Sequence, residues 1–209
     1  MKKITIYLII FIILSFTLSS FSVDLSNVKY GDIIFQNSLS RQSKAIELAT
    51  HSKYTHVGII FYKDSIPFVL EAVHPVTYTK LDQWIVRGVD DFYVIKRLTG
   101  SDSLLTSDVI QNMIFEGDKF LNKRYDRYFN WSDAELYCSE LVWKVFERGA
   151  DIELCELKKM KEYDLSNPIV KAVMQRRYGN NPPLEESMVS PEDIADSELL
   201  TEIYTSTKK

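Results

Sequence analysis

The chain is poor in the residues that usually announce a function. It holds two cysteines, three histidines, seven glycines and six prolines among 209 residues. Two cysteines cannot build a disulfide-dense scaffold, and they form no Cys-x-x-Cys pair of the kind that holds zinc. The histidines, His51, His56 and His74, show no His-Glu-x-x-His spacing, so no metal site is expected. No Gly-x-Ser-x-Gly elbow, P-loop or dinucleotide fingerprint occurs, and no cofactor is implied. Basic residues never run to five in succession and the net charge is −4. A phosphate-tracking nucleic-acid surface is therefore disfavoured. Low glycine and proline content, with no repeat or low-complexity tract, excludes collagen-like and disordered chains.

What is present is a globular composition, 45% hydrophobic and 12% aromatic. That is enough for one sizeable core. The first residues, "MKKITIYLIIFIILSFTLSSFS", combine two lysines, an apolar run and small polar residues, the layout of a secretory signal. A cut near Ser22 makes residues 1–22 a signal peptide and 23–209 a single domain, exported to a periplasmic or extracellular space. An uncleaved anchor is the alternative, because the uncharged run Ile4 to Val23 has 20 residues, about the length that spans a bilayer. No cysteine follows the run, which argues against a lipoprotein anchor. Export implies an oxidising compartment, in which Cys138 and Cys155 could pair.

Several segments read as strands. Tyr30 to Asn37, Thr55 to Tyr62, Phe68 to His74 and Asp91 to Leu98 are rich in β-branched and aromatic residues. The second and third flank "KDSIP" and are expected to form an antiparallel hairpin. Ser40 to Ser52 reads as a short helix with one apolar face. Val109, Ile110, Met113 and Ile114 fall at helical spacing behind Ser107, a candidate N-cap. In "ELYCSELVWKVF" (Glu135 to Phe146) the apolar positions Leu141, Val142, Val145 and Phe146 form one stripe, and Gly149 is placed to stop the helix. Residues 151–182 read as mostly helical, with Pro168 opening a helix and Gly179 closing it. A short helical turn is expected at Pro191. Strands grouped early, with helices behind them, indicate an α+β fold with an antiparallel sheet.

Cys138 is the residue most open to chemistry. Its alternatives are core filler, half of a disulfide, or a nucleophile. A nucleophilic cysteine needs a thiolate, a base and a group that orients the base. A helix start favours the thiolate, because unpaired N–H groups and the dipole stabilise negative charge there. "SDAE" (Ser132 to Glu135) has the form of a capping box and would start the helix six residues too early. The reading adopted is a helix start near Tyr137. His56, in "THVGIIF", is the candidate base, with a half-buried structural histidine as its alternative. Glu71, in "FVLEAVH", is the candidate orienter, with an exposed edge carboxylate as its alternative. In a tight hairpin the two can share a face.

Together, "GDIIF", "SKYTHVGIIF", "LEA", "YD", "YCSELVWKVF" and "SPEDI" resemble the circularly permuted papain-like hydrolases of the NlpC superfamily, the YiiX-like group. The resemblance covers roughly residues 29 to 200. It implies a permuted papain-like α+β fold, with an antiparallel sheet packed on the helix that carries the cysteine. In this group the histidine strand precedes the cysteine helix, as here. The resemblance implies Cys138 as nucleophile, His56 as base and Glu71 as the third, polar residue. Tyr54 and Tyr137 are adjacent and become candidate substrate-lining residues. Asp32 reads as turn-forming, and His51 and His74 match no role. The implied activity is an exported cysteine amidase or peptidase acting on a small peptide or amide, with cell-wall peptides as one candidate. A lipid-directed thioesterase, acyltransferase or N-acyl amidase on the same fold is the alternative, with residues 151–182 over an apolar groove. Either substrate would bring the protein close to the cell wall or the membrane.

Overall fold

The computed structural model describes residues 27–40 and 42–206, so the leader assigned to 1–22 lies outside the described residues. Five strands come early: β1 (Ile33–Ser38), β2 (His56–Lys63), β3 (Ile66–Glu71), β4 (Thr77–Lys80) and β5 (Gly88–Leu98). Four two-residue strands follow, β6 (Arg124–Tyr125), β7 (Glu135–Leu136), β8 (Lys158–Lys159) and β9 (Ser187–Met188). β6 pairs parallel with β7 and β8 antiparallel with β9. The last strand, β10 (Leu200–Thr205), returns to the large sheet. That sheet has the order β10-β5-β1-β2-β3-β4, with every neighbouring pair antiparallel.

The helices are α1 (Ser43–Thr50), α2 (Leu81–Ile85), α3 (Ser101–Leu104), α4 (Ser107–Asp118), α5 (Cys138–Ala150), α6 (Pro168–Tyr178) and α7 (Pro191–Ala195). They cover both faces of the sheet. On one face Phe35, Val57, Ile59, Leu70 and Val94 share a core with Met113 of α4 and with Leu141, Val142, Val145 and Phe146 of α5. On the other, Ile34, Ile60, Val69, Tyr93 and Ile95 lie against Leu81, Trp84 and Ile85 of α2. Each fully buried Val, Leu, Ile or Phe contributes roughly 1.5–3 kcal/mol. Burial on two sides explains why β2 reads as a continuous apolar run and not as an alternation.

The α+β fold expected from the sequence is the one observed, and four local readings are corrected. Gly149 does not stop α5. A Cβ there would lie 2.5 Å from the Met113 Cα, so the glycine lets α4 approach α5 closely. The helix ends at Asp151, which takes a left-handed φ of 56°. Ser107 is the first helical residue of α4, and Thr106 is its cap, with its hydroxyl accepting from the Val109 N–H. Residues 151–182 are less than half helical: they contain α6, one 3-10 turn at Met160–Glu162 and the short strand β8, joined by irregular segments. β3 ends at Glu71, three residues short of His74.

Candidate active site

Cys138 is the first residue of α5. Tyr137 caps the helix with extended dihedrals, φ −101° and ψ 168°. "SDAE" does not start a helix: Ser132 to Ala134 are bends and Glu135 opens β7. The acid that caps α5 is Glu140, which accepts the Tyr137 N–H at 3.3 Å and the Ser132 N–H at 3.1 Å. Its other contact is the Lys144 ammonium at 2.7 Å. Burial pushes the Glu140 carboxyl up to about 7, against the pull of Lys144 and the two N–H groups. The first N–H groups of a helix have no intrahelical partner, so the positive end of the α5 dipole lies at the Cys138 thiol.

His56 begins β2, and Glu71 ends β3. The hairpin register pairs Ile59 with Leu70, which sets Gly58 across from Glu71 on the face that also carries His56. Gly58 keeps that space open. A Cβ there would lie 2.3 Å from Val69 Cγ1 and 2.8 Å from the Leu70 carbonyl oxygen. The Glu71 carboxylate can therefore reach the imidazole, with 2.6 Å between His56 Nε2 and Glu71 Oε2. The Trp84 ring stacks on His56 at 5.8 Å between centroids.

Glu71 is fully buried. Its other oxygen accepts from the Thr79 hydroxyl at 2.5 Å and from the Arg87 guanidinium. Burial alone would raise its pKa, but His56, Arg87 and Thr79 outweigh burial and hold the carboxyl below its ordinary value. For His56, burial disfavours the charged ring. Hydrogen bonding to Cys138 and then Glu71 overcomes this and holds the pKa up at about 9. Nε2 is committed to Glu71, which leaves Nδ1 as the ring nitrogen free for proton transfer.

Two cavities meet at this point. Cys138 lines an almost wholly apolar pocket with about 730 Å³ of empty space, between α1, α6 and the start of α5. His56 lines a wider cleft of about 2110 Å³. Tyr137 lines the apolar pocket, and its hydroxyl accepts the Val189 N–H at 3.2 Å. Tyr54 packs against Phe35 at 5.4 Å and lines neither cavity. Asp32 accepts the Lys29 N–H and is gripped by both ends of the Arg97 guanidinium, which ties the turn to β5. His51 pairs with Asp164 at 3.1 Å, and His74 lies on the rim of the wider cleft. Both cysteines are free. Burial pushes the Cys155 thiol up to about 12.

Thr79, Trp84, Arg87 and Gln42 belong to the site and were not singled out in the sequence, and Tyr125, the tyrosine of "YD", joins them. Gln42 donates to the Tyr125 hydroxyl at 2.6 Å, beside Cys138. Only Tyr125 falls in a quoted motif, and the other four come from three separate segments that none marks. Among the described residues no group of three or more His, Cys, Asp or Glu side chains converges as metal ligands.

A family described as "Permuted papain-like amidase enzyme, YaeF/YiiX, C92 family" matches residues 27–204. The chain belongs to this family. The amidase is 46% identical over 173 residues to "Uncharacterized protein YiiX" of Escherichia coli (strain K12), covering 83% of this chain and 84% of that one. It is also similar to a solved structure described as "metalloprotein yiiX from Escherichia coli O157:H7", with a TM-score of 0.82 and 46% identity. The match covers 85% of this chain and 97% of that chain. The metal is a description of that protein. The donor set here does not fit one, and no step of the chemistry below uses a metal. The family's activity makes this chain a cysteine amidase or peptidase-type hydrolase.

Proposed function

We propose that the amidase cleaves its substrate with Cys138 as nucleophile, His56 as base and then acid, and Glu71 as the group that orients His56. The observation that carries this reading is the buried Glu71 carboxylate 2.6 Å from the His56 imidazole, with Cys138 opening α5. The Cys138 thiolate attacks an amide carbonyl, and the His56 imidazolium is its counter-ion. The backbone N–H of Cys138, at the start of α5, receives the developing oxyanion in this reading. His56 gives its proton to the leaving amine, then takes one from the water that hydrolyses the thioester. Glu71 fixes the ring's tautomer and favours its charged form.

The sequence also supports export by residues 1–22, cleaved or retained as an anchor, with residues 23–209 acting as one hydrolase domain. No helix among the described residues is long and apolar enough to cross a membrane. Cell-wall peptides remain the candidate substrate that the sequence resemblance offers. One observation favours the lipid-directed alternative, an N-acyl amidase: the surface beside Cys138 is apolar. The test is turnover of short peptidyl amides, muropeptides and acyl amides by wild type and Cys138→Ala on one preparation. Loss of turnover by at least about a thousandfold in the variant is expected. Turnover at the wild-type rate by Cys138→Ala overturns the assignment.

A further inference from the structure

We propose that the buried Glu140–Lys144 pair is the positioning element of the nucleophile: it fixes the backbone turn that aims the Cys138 thiol and N–H at the scissile carbonyl. This role rests on the catalytic assignment of Cys138 proposed above, and it gives neither Glu140 nor Lys144 any contact with substrate.

Both residues belong to α5, one helical turn apart, and they are 0% and 2% exposed. Their side-chain hydrogen bonds, apart from the one between them, run to the segment that leads into Cys138. The Lys144 ammonium donates to Glu140 Oε1 at 2.7 Å, to the Ser132 carbonyl at 2.8 Å and to Asp133 Oδ1 at 2.9 Å. Those three bonds use all of its protons. The carboxylate accepts the Ser132 N–H on Oε1 and the Tyr137 N–H on Oε2. Ser132 is thus held by both of its backbone groups, and Tyr137 by its N–H. The Trp131 ring lies 4.8 Å from the ammonium, and Arg148 grips Asp133 at 2.8 Å. Regular structure does little to set the path of this segment. Ser132 to Ala134 are bends, and β7 pairs with β6 over two residues.

Stability does not account for this arrangement. Taking two charges out of water is costly, and an apolar pair of similar volume is often as stable or more so. Burial outweighs the partners of Glu140 and holds its carboxyl up at about 7, above the ordinary 4.5. The contribution of a carboxyl raised in this way is complete below about 4.5 and is lost as pH rises through about 7. Ionised Glu140 is therefore a cost to folding above neutral pH. It is spent on the one turn whose geometry decides where the thiol points.

A nucleophile must meet its carbonyl within a narrow range of distance and angle, and a shift of about 1 Å can cost about a hundredfold in rate. Glu140 holds the Tyr137 N–H, and Tyr137 is the cap whose ψ of 168° turns the chain into the helix. The next peptide carries the Cys138 N–H, the donor assigned above to the oxyanion. Val189 holds the same turn independently, through the Tyr137 and Ser139 hydroxyls. The side chains of the turn are thus tied to Val189, and the backbone leading into it to Glu140 and Lys144.

The experiment uses the full chain and p-nitrophenyl acetate, whose released nitrophenol reports acylation of the enzyme, with iodoacetamide as a second probe of the thiol. Wild type, Glu140→Gln, Lys144→Met and Lys144→Arg are compared well below the unfolding transition, with folding checked by circular dichroism. We expect kcat to fall at least about tenfold in Glu140→Gln and Lys144→Met. KM should stay within about twofold, and alkylation of Cys138 should slow in parallel. Lys144→Arg should lose kcat as well, because a planar fork does not match three acceptors set around an ammonium. Arg124→Met breaks the exposed Arg124–Glu135 pair in the same region and should keep the wild-type kcat. A merely structural role would move the urea midpoint and leave kcat of the folded protein unchanged, and that result overturns the inference. An equal loss in Arg124→Met overturns it too, because the effect would then belong to the region and not to the buried pair. Glu140→Gln and Lys144→Arg keep size and polarity, so the test stands if Lys144→Met does not fold. Cys138→Ala separates the two levels. If it hydrolyses the ester as fast as wild type, the catalytic reading fails. If hydrolysis requires Cys138 and the pair variants keep the wild-type kcat, the positioning role fails alone.

Discussion

His56 Nε2 and Glu71 Oε2 lie 2.6 Å apart, and the second oxygen of Glu71 is occupied by Thr79 and Arg87. The carboxylate cannot turn away from the ring without breaking those contacts. It therefore restrains the orientation of the imidazole and, after Cys138, favours its charged form.

Replacing Glu71 by Gln keeps the shape and removes the charge. The His56 pKa should fall from about 9, and the imidazolium–thiolate pair should be less populated at neutral pH. We expect kcat/KM to drop about a hundredfold or more, with the alkaline limb of the pH profile moved down. The pH–rate profile of the variant beside wild type checks both. An unchanged alkaline limb would show that Glu71 does not govern the ring.

The same pair makes stability depend on pH in two windows. The folded pKa of His56 is above the ordinary 6.5. Its contribution is complete below about 6.5 and is lost as pH rises through about 9. The folded pKa of Glu71 lies below 4.5, so its contribution is complete above about 4.5 and is lost as pH falls through the folded value. Urea unfolding across this range should show both losses in wild type; Glu71→Gln should abolish the acid one and reduce the alkaline one, to which Cys138 also contributes.

Arg87→Met removes the guanidinium from Glu71 while keeping much of the side-chain bulk. Arg87 acts through Glu71, so its loss should raise the Glu71 pKa and lower kcat by roughly tenfold on a neutral amide. The readout is the acidic limb of the pH profile, which should move upward. A purely structural role would lower melting temperature and leave that limb in place.

Gly149→Ala should destabilise the protein by about 1–3 kcal/mol through overpacking against Met113. The ordinary gain of about 1 kcal/mol for alanine over glycine inside a helix is smaller than that cost. Denaturant midpoints of the two proteins give the sign directly.

Iodoacetamide should label Cys138 well before Cys155 in the folded, unreduced protein. Cys155 has its thiol pushed up to about 12 by burial, so little thiolate is present there. Peptide mapping after short exposure identifies the labelled site. Preferential labelling of Cys155 would contradict the electrostatics.

Much of this was legible in the residues themselves. "THVGIIF" and "FVLEAVH" flank a tight turn, and the hairpin they form brings His56 to Glu71. Cys138 could be placed at a helix start once Tyr137 was taken as the cap. The cap's partner, Glu140, lies inside the helix pattern, where no separate signal marks it as a cap. Arg87 and Trp84 were invisible for a different reason. Their role comes from α2 folding across the sheet, a tertiary event with no local signature. β10 was missed because its partner, β5, is distant in the chain, and pairing of that kind leaves no periodic trace.

The permuted order has a consequence for how the protein is made. The Ser139 hydroxyl donates to the Val189 carbonyl and the Val189 N–H donates to the Tyr137 hydroxyl. The first turn of α5 is thus pinned by a segment 50 residues further along the chain. A chain emerging residue by residue has its histidine hairpin early, its thiol later, and the clamp on that thiol last. The turn that carries the thiol is therefore clamped only after the chain has been made some 50 residues past Ser139.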